Sequence, residues 1–123
     1  MIYKRSEQRI YFGDKSWECR SDFFPGENEL GQARESLPNG TYTCVAEEPP
    51  AENSNEYGTF YISTGDYRGR DIHGGGSGLD NPKDDYQGWY PTLGCLRCQN
   101  ADGQELSRLI IDSGNNVELE VVD

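Results

Sequence analysis

Between Gly74 and Pro91 the chain carries almost no aliphatic side chain, Leu79 being the exception among Gly, Asp, Pro and Tyr. A segment with no apolar periodicity supplies neither a core-facing strand nor a core-facing helix. The remainder of the chain must therefore build the whole core. Only 33% of residues are apolar, so that core is small. The length of 123 residues fits one domain, spanning 1–123. With 15 glycines and 8 tyrosines, the composition points to strands and loops and away from a helical bundle. A loop of about 18 residues inside a compact domain is usually functional or disordered. The two segments that flank it, described below, favour function.

Regular elements are legible on both sides of this loop. A β-prone stretch over residues 2–12 ends in Arg9-Ile10-Tyr11-Phe12, Gly13-Asp14-Lys15-Ser16 reads as a turn, and Trp17-Glu18-Cys19 begins a partner strand. The chain is thus expected to open with a hairpin. Residues 21–36 are irregular, broken by Pro25-Gly26 and Gly31. Pro38-Asn39-Gly40 is a turn signal leading into a strand over Thr41–Val45. Glu47 to Asn55, acidic and proline-containing, reads as a loop. Thr59–Ser63 and a short stretch over Arg70–Ile72 read as further strands, the latter leading into His73. Leu106, Leu109 and Ile110 share one helical face, with Asn100 or Asp102 as cap and Gly114 as stop. Val117, Leu119 and Val121 then alternate with Glu118 and Glu120 as a last strand. The expected class is mostly β with one clear helix near residues 101–113.

Charge narrows the partners. With 22 acidic and 11 basic residues the net charge is −11, which repels nucleic-acid phosphates and anionic membrane surfaces. No stretch approaches the roughly 18–20 apolar residues of a membrane span. Met1-Ile2-Tyr3-Lys4-Arg5 runs into polar residues with no apolar signal region. The expectation is a trimmed chain, a cytosolic protein, or export by a route that needs no such signal.

The chemistry concentrates in two segments, Asp71-Ile72-His73-Gly74 and Pro91-Thr92-Leu93-Gly94-Cys95-Leu96-Arg97. A cysteine nucleophile reacts as its thiolate, and a free thiol has a pKa near ~8.5, so it needs a nearby base. His73 is the chain's one imidazole. Gly94 before Cys95 allows substrate to approach the backbone. The amides around Gly94, Cys95 and Leu96 are candidates for an oxyanion hole. Arg97 offers a planar cation for a substrate carboxylate or for bracing the loop. Trp89 and Tyr90 are read either as lining a substrate groove or as packing beneath the loop.

The ordered combination resembles the catalytic domain of the L,D-transpeptidases, the YkuD-type domain. Its pattern is His-Gly, a loop, then Ser/Thr-x-Gly-Cys-x-Arg; here His73-Gly74 precede Thr92-Leu93-Gly94-Cys95-Leu96-Arg97. Leu37-Pro38-Asn39-Gly40-Thr41-Tyr42 resembles the family's Thr-Pro-x-Gly-x-aromatic segment. Gln99-Asn100-Ala101-Asp102 resembles its passage from motif to helix, and Asn116-Val117-Glu118-Leu119 its closing strand. The resemblance implies a β-rich fold around a Cys–His pair acting on peptidoglycan stem peptides without a cofactor. Cys95 would attack the carbonyl of the third stem residue and release the terminal D-alanine. The acyl group then passes to an amine, giving a 3–3 cross-link or D-amino acid exchange, or to water, giving L,D-carboxypeptidase activity. The Gly74 carbonyl would orient His73, and Thr92 would hydrogen-bond within the motif. Leu93 stands where many members have His, and Cys98 where an apolar residue is common. The bare domain is similar to signal-less members that act as toxins injected by type VI secretion. That likeness implies work in the periplasm or cell wall and a cognate immunity protein as partner.

Other readings stay open. Cys19, Cys44, Cys95 and Cys98 are enough ligands for a four-thiolate zinc site, although Cys19 and Cys44 lie far apart in sequence. Cys95-Leu96-Arg97-Cys98 also has the spacing of a redox motif, without the βαβ setting that motif needs. A non-catalytic module binding peptidoglycan or a partner through Trp89, Tyr90 and the glycine loop is a third reading. Arg68 and Arg70 are read as pairing with Asp66, Asp71 and other acids, or as attracting substrate carboxylates. Cys19 and Cys44 are read as a disulfide or as two buried thiols.

Overall fold

The opening hairpin shows why the chain curls. In strands β1 (Ile2–Lys4), β2 (Arg9–Phe12) and β3 (Lys15–Arg20), Tyr3, Ile10, Trp17 and Cys19 are buried while their neighbours are half-buried or exposed. One face of each strand must therefore be covered. The computed structural model describes residues 1–50 and 54–123. The cover is supplied by β4 (Gly40–Glu47), β5 (Tyr61–Ser63), β6 (Ile72–His73), β7 (Leu96–Cys98) and β8 (Val117–Val122). These eight strands close into a barrel in the order β1-β2-β3-β7-β6-β5-β4-β8. Closure gives each of these strands a neighbour on both sides. Two ladders are parallel, β1 with β8 and β6 with β7; the others are antiparallel.

Helix α1 (Ser54–Tyr57) is a single turn. Helix α2 (Asn100–Asp112) presents Gly103, Leu106 and Ile110 to β4 and β5. Phe60 lies directly on Gly103, where a Cβ would overlap its ring. The expectation of a mostly β domain with one clear helix describes this architecture. The expected hairpin, the strands around 41–45 and 117–121, and the helix near 101–113 all correspond to observed elements.

The differences have local causes. Residues 2–12 form two strands, because Glu7 N and Gln8 N turn back to Lys4 O and Arg5 O and Gln8 takes φ 53°. The strand expected from Thr59 begins at Tyr61, since Thr59 N donates to Asn100 Oδ1 and not to a neighbouring strand. Neither Asn100 nor Asp102 caps α2; the N-cap is Gln99, without a side-chain cap bond. Within the expected 47–55 loop, residues 51–53 lie outside the described residues.

The long loop is built, although it contains no strand or helix. Asn100 Nδ2 donates to the carbonyls of Pro82 (2.9 Å) and Asp84 (2.7 Å). Gln87 spans Asn100 N and the Cys98 carbonyl, at 2.8 and 3.0 Å. Gln99 exchanges two bonds with the Gly88 backbone. Ala101 N donates to Asp85 O. The loop thus satisfies the first amides of α2, which would otherwise lack partners.

Candidate active site

The site follows from the β6–β7 ladder. Ile72 pairs with Leu96 and His73 with Arg97, in parallel register. Ile72 and Leu96 are fully buried in the core. Side chains alternate faces along a strand, so His73 and Arg97 lie on the outer face. Cys95 immediately precedes β7, and Leu96 N donates to Asp71 O, which puts Cys95 beside Asp71 on that face. Tyr61 of β5 pairs with His73, and Arg20 of β3 with Arg97, extending the outer row.

The Cys95 thiol is held by backbone. Its Sγ accepts from Asp71 N at 3.3 Å and faces the Gly69 carbonyl at 3.7 Å. His73 Nδ1 lies 2.8 Å from Gly74 O. A carbonyl only accepts, so Nδ1 carries the proton and Nε2 keeps its lone pair. The Tyr57 ring meets the imidazole edge-on at 4.8 Å, and the Tyr61 ring stacks parallel to it at 6.1 Å. Asp71 is fully engaged: its carboxylate accepts from the Tyr61 hydroxyl, Thr64 N and Thr64 Oγ1. Among the described residues, no hydrogen bond joins Cys95 to His73. The fold brings the two onto one face without bonding them.

Electrostatics keep both groups neutral at rest. Burial pushes the Cys95 thiol up to about 12, against the Asp71 amide, which lowers it; the Asp71 carboxylate raises it further and Arg97 lowers it. Burial lowers His73 to about 3, the Arg97 charge lowers it again, and the Gly74 carbonyl opposes both. Arg97 itself is lowered to about 10, first by burial. Its Nη1 donates to Gly75 O at 2.5 Å, while its Nε is buried without a partner among the described residues. Arg97 therefore braces the glycine loop.

Thr92 ties the nucleophile segment together. Its Oγ1 donates to Cys95 O at 2.7 Å and accepts from Gly94 N at 3.0 Å. Of the three amides considered for an oxyanion hole, Gly94 N and Leu96 N are thus occupied. Cys95 N has no hydrogen-bond partner among the described residues. Gly94 also meets a steric need: its φ is +138°, and a Cβ would lie 2.5 Å from the Glu35 carbonyl.

Trp89 and Tyr90 pack and also border space. The Arg20 guanidinium lies 4.2 Å over the Trp89 ring, and Tyr90 meets Phe24 edge-on at 5.4 Å. Both line a cleft of about 230 Å³ with Arg20, Asp22 and Pro91. Tyr90 also borders a cleft of about 160 Å³ with Thr92, Leu93, Arg97 and Glu56. Leu93, 57% exposed, separates this from a third cleft, about 440 Å³, that includes Arg34, Arg68 and Arg70. Arg70 pairs with Asp66 at 2.8 and 3.1 Å, whereas Arg68 donates to the Ala33 carbonyl and Asp71 pairs with neither. Sequence reasoning missed Tyr57 and Tyr61 around the imidazole and Gln87 in the loop, and it placed Gln99 and Asn100 at the start of the helix without their hold on the loop. Neutral amides and tyrosines in a Tyr-rich chain give no distinguishing signal.

All four cysteines are free thiols. Cys95 and Cys98 stand on opposite faces of the β7 segment, which separates them as metal ligands and as a redox pair. Among the described residues, no three His, Cys, Asp or Glu side chains gather as a metal site. Cys19 and Cys44 belong to β3 and β4, on opposite sides of the barrel order, and are two buried thiols, the second of the two readings left open for them. Among the described residues, no helix is long and apolar enough to cross a membrane. No protein-family model, curated protein or solved structure matches this chain.

Proposed function

We propose that this chain is a cysteine-dependent acyl-transfer enzyme of the L,D-transpeptidase type, with Cys95 as nucleophile and His73 as base. One arrangement supports the reading above all. Cys95 and His73 share the outer face of the parallel β6–β7 ladder, and Gly74 holds the imidazole in the tautomer whose Nε2 accepts a proton.

In this mechanism the Cys95 sulfur attacks the carbonyl of the third residue of a stem peptide as its proton passes to His73 Nε2. A resting thiolate–imidazolium pair is disfavoured by burial of both groups, so proton transfer accompanies carbon–sulfur bond formation. Cys95 N is the amide open to the developing oxyanion. The imidazolium then protonates the departing D-alanine amine, leaving a thioester. An amine resolves it to a cross-linked or exchanged product, and water resolves it to the free acid. Trp89, Tyr90 and Arg97 border the clefts in which a stem peptide would lie. Such a substrate sets the place of action in the periplasm or cell wall.

The test is mass spectrometry of purified tetrapeptide muropeptides after incubation with the chain, with and without a free D-amino acid, beside Cys95→Ala. Loss or exchange of the terminal D-alanine, absent in the variant, supports the reading. A second reading, a non-catalytic wall- or partner-binding module, is favoured by the missing Cys95–His73 hydrogen bond. It predicts no change in the muropeptides and equal peptidoglycan binding by Cys95→Ala and the parent chain.

A further inference from the structure

The barrel places two cysteines distant in sequence directly across from each other. Cys19 of β3 and Cys98 of β7 are register partners in an antiparallel ladder, and both are completely buried on the inner face. The N–H of Cys19 is spent on Gln8 O, on the β2 side, at 2.9 Å. In an antiparallel sheet a residue's N–H and C=O point to the same neighbour, so towards β7 the Cys19–Cys98 pair is of the non-hydrogen-bonded kind. Such pairs have Cα atoms about 4.5 Å apart, within the roughly 4.4–6.8 Å that a disulfide spans. The other cysteines offer no competing partner: Cys44 lies on the far side of the barrel order, and Cys95 on the opposite face of the β7 segment.

We infer that Cys19 and Cys98 form a disulfide that seals the β3–β7 seam when the protein folds in an oxidising compartment. This seam has a particular use for a covalent tie. Its ladder has two register pairs, and the second sets Arg20 opposite Arg97. Like charges directly opposite weaken a ladder. The seam joins the N-terminal hairpin to the strand that carries Arg97 and follows Cys95. The tie therefore fixes the strand of the candidate site from its inner side and leaves Cys95 as a thiol. The inference does not depend on the acyl-transfer reading.

The chemistry is thiol–disulfide exchange with a small-molecule disulfide such as oxidised glutathione. One protein thiolate attacks it, forming a mixed disulfide and releasing one glutathione. The second protein thiolate attacks the mixed disulfide, forming the Cys19–Cys98 bond and releasing the second glutathione. The two protein protons end on the two glutathione thiols. Because both thiols are buried, exchange takes place during folding.

The experiment refolds the full chain from denaturant in a glutathione redox buffer, alkylates the remaining thiols and maps the peptides by mass spectrometry. The expected result is a mass lower by two hydrogens, a linked Cys19–Cys98 peptide, and free thiols reduced from the four of the reduced protein to two, Cys44 and Cys95. Cys44→Ser and Cys95→Ala variants are expected to form the same link. The oxidised chain should melt roughly 10 °C above the reduced one, as expected for a bond closing so long a loop. Recovery of Cys19 and Cys98 as separately alkylated residues from soluble refolded chain, or linkage of either to Cys44 or Cys95, overturns the inference. So does a bond that forms but lowers the melting temperature.

Discussion

His73 stands opposite Arg97 on the β6–β7 ladder, and the guanidinium charge is the second force, after burial, that keeps the imidazole neutral. The consequence is a pH-dependent stability with a defined sign. In the unfolded chain His73 takes up a proton near its ordinary pKa of 6.5, but in the folded chain only near about 3. The unfolded state binds more protons in that window, so stability is full above pH 6.5 and falls as pH drops towards 3. The expected limiting slope from this group is about 1.4 kcal/mol per pH unit. Denaturant midpoints measured from pH 7 to pH 3 should show a shallower fall in His73→Gln than in the parent. Equal slopes would mean the imidazole is not held neutral.

The same reasoning applies to Cys95 with the sign reversed. Its folded pKa of about 12 exceeds that of a free thiol, so it favours folding below the free-thiol value and that contribution is lost as pH rises towards 12. The reactivity prediction is sharper. Alkylation of Cys95 by iodoacetamide should be slow at pH 7 and still rising at pH 10. An early plateau, as a preformed thiolate–imidazolium pair gives, would contradict the neutral resting state. Mass mapping separates Cys95 from the three buried cysteines.

Arg97 offers a test of how the loop is held. Arg97→Met removes the 2.5 Å bond to Gly75 O and leaves that carbonyl buried without its donor, at a cost of about 1–3 kcal/mol. It also removes the charge that lowers His73. The variant should lose stability at pH 7 while the histidine resonance titrates at higher pH than in the parent. Loss of stability with an unmoved titration would mean that burial alone sets the imidazole.

What the sequence made legible was local. The Val117-Leu119-Val121 alternation, the hairpin turn at Gly13-Asp14 and the Leu106–Ile110 helix face each carry their signal within a few residues. Closure of the barrel does not. The parallel ladders join β1 to β8 from opposite ends of the chain, and β6 to β7 across the long loop, and β6 has two residues. No periodicity is readable in two residues. The partner of Cys19 was hidden for the same reason, because Cys98 reaches it only once β7 inserts beside β3. Cys95, His73 and Arg97 were found by residue type and order. The Gly74 carbonyl that holds the imidazole is its sequence neighbour and was implied by the resemblance, whereas the hold of Asp71 N on the Cys95 thiol depends on register, which spacing does not encode.

Asn100 is the residue by which α2 holds the long loop. Its side chain makes three bonds, accepting from Thr59 N and donating to Pro82 O and Asp84 O. Asn100→Ala leaves these backbone groups without a partner and should cost about 2–4 kcal/mol. Asn100→Asp keeps the acceptor but sets a carboxylate against two carbonyls, so it should be no better than alanine. Both variants should show faster amide exchange at Gly88 and Ala101, whose N–H groups bond across the loop–helix junction. Unchanged exchange there would mean the loop is held elsewhere.

Gly103 separates helix propensity from packing. In an exposed helix interior, Gly→Ala stabilises by about 0.5–1 kcal/mol. Here the new Cβ would overlap the Phe60 ring, which is itself 3% exposed and cannot swing into solvent without leaving the core. Gly103→Ala is therefore expected to destabilise by about 1–3 kcal/mol, the usual cost of overpacking. Phe60→Leu alone should also destabilise, by loss of buried area. Combined, the two should cost less than the sum of the single changes, because the smaller side chain makes room for the methyl group. A double-mutant cycle in urea measures the difference, and strict additivity would mean that Phe60 and Gly103 are not in contact. The contact matters beyond stability. It sets α2 against the start of β5, so a shift there moves Asn100, the loop it holds and the outer face on which Cys95 and His73 lie.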